Sequence, residues 1–282
     1  MKRNSRINKY YIRFSGRKCN INQSLFKISL SWSCFLRITC AGIGAFWLNS
    51  VNAQITPDNT LLNNSSVKVE GNTNLIEGGT TAGSNLFHSF KDFIVPTGSE
   101  AYFNNAVDIS NIITRVTGDS ISNIDGLIKA NGTANLFLIN PNGIVFGENA
   151  KLDIGGSFVG STADSIKFAD DIEFSAKNPQ NTSLLTVSVP LGLQYGTNPG
   201  RIEIKGKGDT ERGTPELFEP KSDLLQVPNS KTLAILGGDI LLEGATLKAD
   251  SGKIELGSVT GEGLVSITPQ EKGFAFGFDN LE

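Results

Sequence analysis

The fold class this sequence predicts is all-β, and within it a β-solenoid: a parallel β-helix preceded by an amino-terminal cap. Three observations point there. Past residue 53, apolar residues alternate at period two in short bursts and nowhere recur at helical spacing over a long window. The bursts are tightly spaced, with Gly, Asn, Asp or Ser between them. The composition, 31 Gly and 17 Phe against one Met, one His and 19% charged residues, suits short strands joined by tight turns.

Residues 1–53 are set apart as an export leader. They carry nine Lys and Arg, from Lys2 to Arg37, and no acidic residue precedes Asp58. The run "ITCAGIGAFWL" that follows Arg37 has the length of a signal h-region and falls short of the roughly 20 residues needed to span a bilayer. Small residues at Val51 and Ala53 predict cleavage between Ala53 and Gln54. An uncleaved anchor is the alternative, and a lipoprotein signal at Cys40 is disfavoured by Arg37.

Removing the leader takes 9 of the 25 basic residues, so 16 remain against 28 acidic ones, a net charge of −12. An acidic chain without a basic stripe argues against binding to nucleic acid, which depends on neutralising phosphates. Cys19, Cys34 and Cys40 all lie in the leader, so residues 54–282 must be held by their backbone ladders and core without disulfides.

Residues 54–100 are apolar but irregular and read as the cap, with Phe87, Phe90 and Phe93 expected to cover the open end of the solenoid. Residues 101–205 read as β-helix core. Here Ile144 and Phe146, then Leu152 and Ile154, then Phe158 mark three short strands, and three strands with their turns would consume roughly 20 residues, about one coil. Residues 206–230, with Pro215, Pro220 and Pro228 among charges, read as a loop excursion. Residues 231–282 resume the coils through the pairs Ile240 and Leu242, Leu247 and Ala249, Ile254 and Leu256. The closing "GFAFGFDNLE" reads as an apolar strand without a polar cap, from a fragment of a longer exoprotein or as a docking edge.

The sharpest local element is the corner Asn140, Pro141, Asn142, Gly143 between "NLFLI" and "IVFG". Asn first, Pro second and Gly fourth match a type I turn, in which Asn140 bonds the backbone ahead and Pro141 presets φ near −65°. Such a turn bends one strand into the next while both keep their apolar faces on one core.

The stretch "ANLFLINPNGIVFGENAKLDIGGSFVGSTADSI" resembles the two-partner secretion domain at the amino end of filamentous haemagglutinin and related exoproteins, also called the haemagglutination activity domain. Its Asn140 to Ile144 run matches that family's motif, and the blocks "GSNLFHSFKDFIVPTG", "IITRVTGDSISNIDG", "VPLGLQYG" and "LAILGGDILLEG" extend the likeness over essentially all of 54–282. A second motif of the Asn-Pro-Asn-Leu type, carried by some members, is missing here, so roles tied to it do not transfer.

The resemblance implies a right-handed parallel β-helix with short extra-helical strands. It also implies a two-partner route: Sec export to the periplasm, then recognition by an outer-membrane β-barrel transporter with periplasmic transport-associated domains. Asn140, Pro141, Asn142, Gly143 and Ile144 would be the recognition or turn motif. The protein would end secreted or at the surface of a Gram-negative-type envelope, acting in adhesion, with host or cell-surface glycans as further partners.

No cofactor, metal or catalytic residue is assigned. His88, the sole histidine, leaves nothing to build a triad or multi-histidine metal site from, and reads as a surface or cap residue. Asp170 and Asp171 read as a solvated turn in preference to a calcium or acid-base pair, and Arg115 as a bond between neighbouring turns. "GKGDTERG", with Lys207, lacks the ending of a phosphate loop. The rival functions are a β-helical polysaccharide lyase or hydrolase and a carbohydrate-binding surface module.

Overall fold

The computed structural model describes residues 55–179, 185–208 and 225–281. The leader, its expected cleavage site at Ala53 and Gln54, and most of the expected excursion lie outside the described residues.

Those described form twenty-four strands and no helix. The amino-terminal segment supplies β1 (Ile55–Pro57), β2 (Ser65–Glu70), β3 (Thr73–Gly78) and β4 (Thr80–Ala82). Next come β5 (Asn85–Phe93), β6 (Glu100–Phe103), β7 (Asn111–Val116), β8 (Ser122–Ile124), β9 (Leu127–Ala130), β10 (Asn135–Ile139), β11 (Ile144–Phe146), β12 (Lys151–Asp153) and β13 (Phe158–Ser161). The chain then leaves the coil for β14 (Ser165–Phe168), β15 (Glu173–Ser175) and β16 (Pro190–Tyr195). It re-enters through β17 (Ile202–Lys205), β18 (Leu225–Val227), β19 (Thr232–Gly237), β20 (Ile240–Glu243), β21 (Leu247–Ala249) and β22 (Lys253–Ser258), and leaves again for β23 (Gly263–Gln270) and β24 (Gly273–Leu281).

Successive coils stack on three parallel faces. Face 1 runs β5, β7, β10, β13, β19, β22, and face 2 runs β8, β11, β17, β20. Face 3 runs β3, β6, β9, β12, with the parallel pair β18 and β21 packed beside β12. This is the parallel β-helix the residue pattern predicts. Antiparallel strands close its amino-terminal end: β1 and β4 pair with β5, and β2 with β3. An antiparallel outer sheet, ordered β15, β14, β16, β23, β24, is the extra-helical element.

That outer sheet lies over face 1, which explains a difference in sequence texture among the faces. Strands of faces 2 and 3, such as "LIKA", "IVF" and "IEIK", alternate buried with more open positions, because one side meets the core and the other water. Strands of face 1, "NIITRV" and "TLAILG", are buried at every residue, because one side lines the coil and the other meets the outer sheet. Two cores result. Leu86, Ile112, Leu136, Phe158 and Leu233 fill the coil, while Phe87, Ile113, Phe137, Val159 and Ala234 face the outer sheet's Phe174, Leu193 and Val265.

Several expectations change in place. Ile144, Phe146, Leu152, Ile154 and Phe158 do line the coil. Phe87, Phe90 and Phe93 do not cover its end: they belong to the coil strand β5, with Phe90 and Phe93 inside and Phe87 outside. Leu225 and Val227, placed in the expected excursion, are buried coil residues of β18. The closing apolar run is β24 of the outer sheet, where Phe274 packs on Phe137 with ring centroids 5.3 Å apart. The pairs at 240–256 are in the predicted inward register, yet Leu242, Ile254 and Leu256 are 44, 44 and 46% exposed, since among the described residues no further strand is stacked on that coil.

Candidate functional site

The corner at 140–144 joins face 1 to face 2. Gly143 N–H donates to Asn140 O at 3.1 Å, closing the four-residue turn, and Asn142 N–H donates to the Asn140 side-chain Oδ1 at 3.0 Å. The Asn140 amide thus holds the turn from within, and its other end reaches the coil before, donating to Ser120 O at 3.0 Å and Ser122 Oγ at 2.9 Å. Asn142 Nδ2 donates to Gly118 O at 2.7 Å on the same side. Toward the coil after, Pro141 O accepts from Gly200 N–H and Arg201 O from Ile144 N–H, each at 3.1 Å. Gly143 sits at φ +133°, and a Cβ there would lie 2.9 Å from Arg201 O.

The corner is therefore a three-coil stitch. Asn140 and Ile144 are fully buried, Pro141 and Gly143 are buried, and only Asn142 is partly open. Its hydrogen-bonding groups are used inside the fold.

Arg115 stands behind the neighbouring part of face 1, fully buried. Its guanidinium donates to Ser89 Oγ at 2.9 Å, Ser175 O at 2.7 Å and Thr60 Oγ1 at 2.9 Å, and lies 4.2 Å from the centre of the Phe174 ring. Asp58 completes the cluster by accepting from Ser89 and Thr117 hydroxyls. Burial lowers the guanidinium's pKa to about 10, with Asp58 opposing the shift, so it stays charged at neutral pH. Arg115 binds the cap segment, two coils and the outer sheet together, in line with the structural use read from the sequence.

His88 is not at the surface. It is 1% exposed inside the coil, where burial pushes its pKa down to about 3. Asp170 accepts a hydrogen bond from the Thr186 hydroxyl and Asp171 takes a positive φ of 61°, so the acidic pair shapes a turn. Among the described residues no group of three or more His, Cys, Asp or Glu is placed to hold a metal ion.

Two polar devices escaped the sequence reading. One is an asparagine ladder at the start of face 1: Asn111 Nδ2 donates to Asn85 Oδ1 and Asn135 Nδ2 to Asn111 Oδ1, each at 2.9 Å, and Ser157 N–H donates to Asn135 Oδ1 at 2.9 Å. The steps are 26, 24 and 22 residues, a repeat of asparagines visible in the sequence once the coil is taken as longer than 20. The other is Tyr195 on β16, which donates to Leu236 O at 3.0 Å and lies 2.7 Å from Ser161 Oγ, tying the outer sheet to face 1.

These features define a β-solenoid domain whose buried polar groups are devoted to registering coils and docking one extra sheet. The family model described as "TPS secretion domain" matches residues 53–281, and the chain belongs to that family. The family's domain serves secretion, so the chain is a substrate of two-partner secretion across the outer membrane of a Gram-negative envelope. A search of the curated proteins finds no match.

Proposed function

We propose that residues 54–282 are the targeting module of an adhesin-type exoprotein, read in the unfolded state by the periplasmic domains of a cognate β-barrel transporter. The leader would deliver the chain by the Sec route and be removed between Ala53 and Gln54. The β-helix then forms outside the cell, where the protein would act in adhesion. The observation that carries this reading is the family match over 53–281.

The corner adds a physical condition. Asn140, Pro141, Gly143 and Ile144 are buried, and the Asn140 and Asn142 amides are spent on Ser120, Ser122 and Gly118. A transporter that reads these residues must meet them before the coils close, as an extended segment able to add a strand to a partner.

The test is secretion of the full chain in cells with and without the barrel gene, followed by immunoblot of medium and periplasm. At least a tenfold drop in the medium is expected without the barrel. Unchanged export would overturn the proposal. Binding of the urea-unfolded chain to purified periplasmic domains separates reading from folding: Asn140→Ala should weaken it, whereas Ile235→Ala, a core change elsewhere, should not.

A further inference from the structure

His88 is the only histidine of the chain. On β5 it points inward with Leu86 and Phe90, and its ring lies between two others: Phe90, stacked at 5.9 Å and 13°, and Phe103, tilted at 5.4 Å. Nδ1 is 3.0 Å from Ser65 Oγ of β2. Gly79 makes room for the ring, since a Cβ there would lie 2.9 Å from the imidazole Cε1. In β7 the register partner is Thr114, whose buried Oγ1 has no hydrogen-bond partner.

From β2, the β3–β4 connection, β5, β6 and β7, the groups presented to the ring are therefore Ser65, Gly79, Phe90, Phe103 and Thr114. None is charged. An imidazolium here would find no carboxylate and little solvent, and nothing offsets its desolvation.

We propose that His88 is a proton-operated brake on folding: the imidazolium that forms in the unfolded chain in mild acid has no place in the coil, so acid opposes closure of the amino-terminal coils. In the unfolded chain the group titrates near 6.5, and in the folded chain it stays neutral until about pH 3. Its folded-state pKa is thus depressed. The stabilisation is fully present above about pH 6.5 and is lost progressively as pH falls from there toward 3. Between pH 7.5 and 5.0 this one group lowers the folding constant about 30-fold. The brake acts whether or not a transporter reads the corner at 140–144.

The experiment uses the full chain without a polyhistidine tag. Urea unfolding is measured from pH 7.5 to 5.0 for the wild type and His88→Gln. The wild type is expected to lose about 30-fold more in folding constant than the variant over this range; parallel pH dependences would overturn the proposal. A second measurement needs no variant. The single imidazole Cε1–H resonance of the folded wild type should hold its neutral position from pH 7.5 to 4.5, and a titration midpoint near 6.5 would overturn the proposal equally.

Discussion

Asn140 and Asn142 occupy one turn but carry different burdens. Asn140→Ala removes one buried and one part-buried donation and leaves the buried Ser122 hydroxyl unanswered, a cost of about 2–3 kcal/mol. Asn142 is partly open and its main bond reaches one carbonyl, so Asn142→Ala is expected to cost about 1 kcal/mol. Urea midpoints of the two variants should fall in that order, and equal losses would contradict the assigned geometry. Arg115 shows the same economy of purpose. A lysine there keeps the charge but cannot span Ser89, Ser175 and Thr60 with a planar fork. The corner was legible from residue type because Asn, Pro and Gly each have a local backbone reason for their places. The burial of His88 was not, because "LFHSF" sits in a strand covered on both sides, where neither face is marked by polar alternation.

Among the strands, burial depends on what is stacked next, and register partners measure it. Ile235 of β19 and Leu256 of β22 are paired in register and both point inward, yet Ile235 is fully buried and Leu256 is 46% exposed. Ile235→Ala is expected to cost about 2–5 kcal/mol and Leu256→Ala less than about 1 kcal/mol, compared by thermal or urea unfolding. The inward register of these strands was readable from period-two alternation. The coil length was not, for two reasons. The asparagine steps shorten along the chain, and between β13 and β19 the polypeptide detours through β14, β15 and β16, so the register partners Phe158 and Leu233, like Ser157 and Thr232, lie 75 residues apart in sequence. Periodicity in sequence does not survive such an insertion, whereas stacking in space does.

For the molecule as a whole, the two cores share face 1, so neither can open alone. Tyr195 donates from the outer sheet to Leu236 O on face 1, and Phe174 covers Arg115. Coil and outer sheet are expected to unfold together: far-UV circular dichroism and tyrosine fluorescence should report one midpoint. Tyr195→Phe should lower the far-UV midpoint by the equivalent of about 1–2 kcal/mol while leaving the transition single. Separate transitions would show that the outer sheet docks only weakly.

Face 1 also sets a timetable. Its strands present oily side chains front and back, and the covering on one of those sides includes β23 and β24, the last stretch of the described chain. Phe87 of β5 packs on Phe168 and Phe174 of β14 and β15, whereas Phe137 of β10 meets Phe274 of β24, so the back of the middle rungs stays wet until residues 263–281 fold onto it. Completion of the middle thus waits on the final strands, and a chain folded without 263–281 would carry a sticky flank at Phe137 that those strands are shaped to seal.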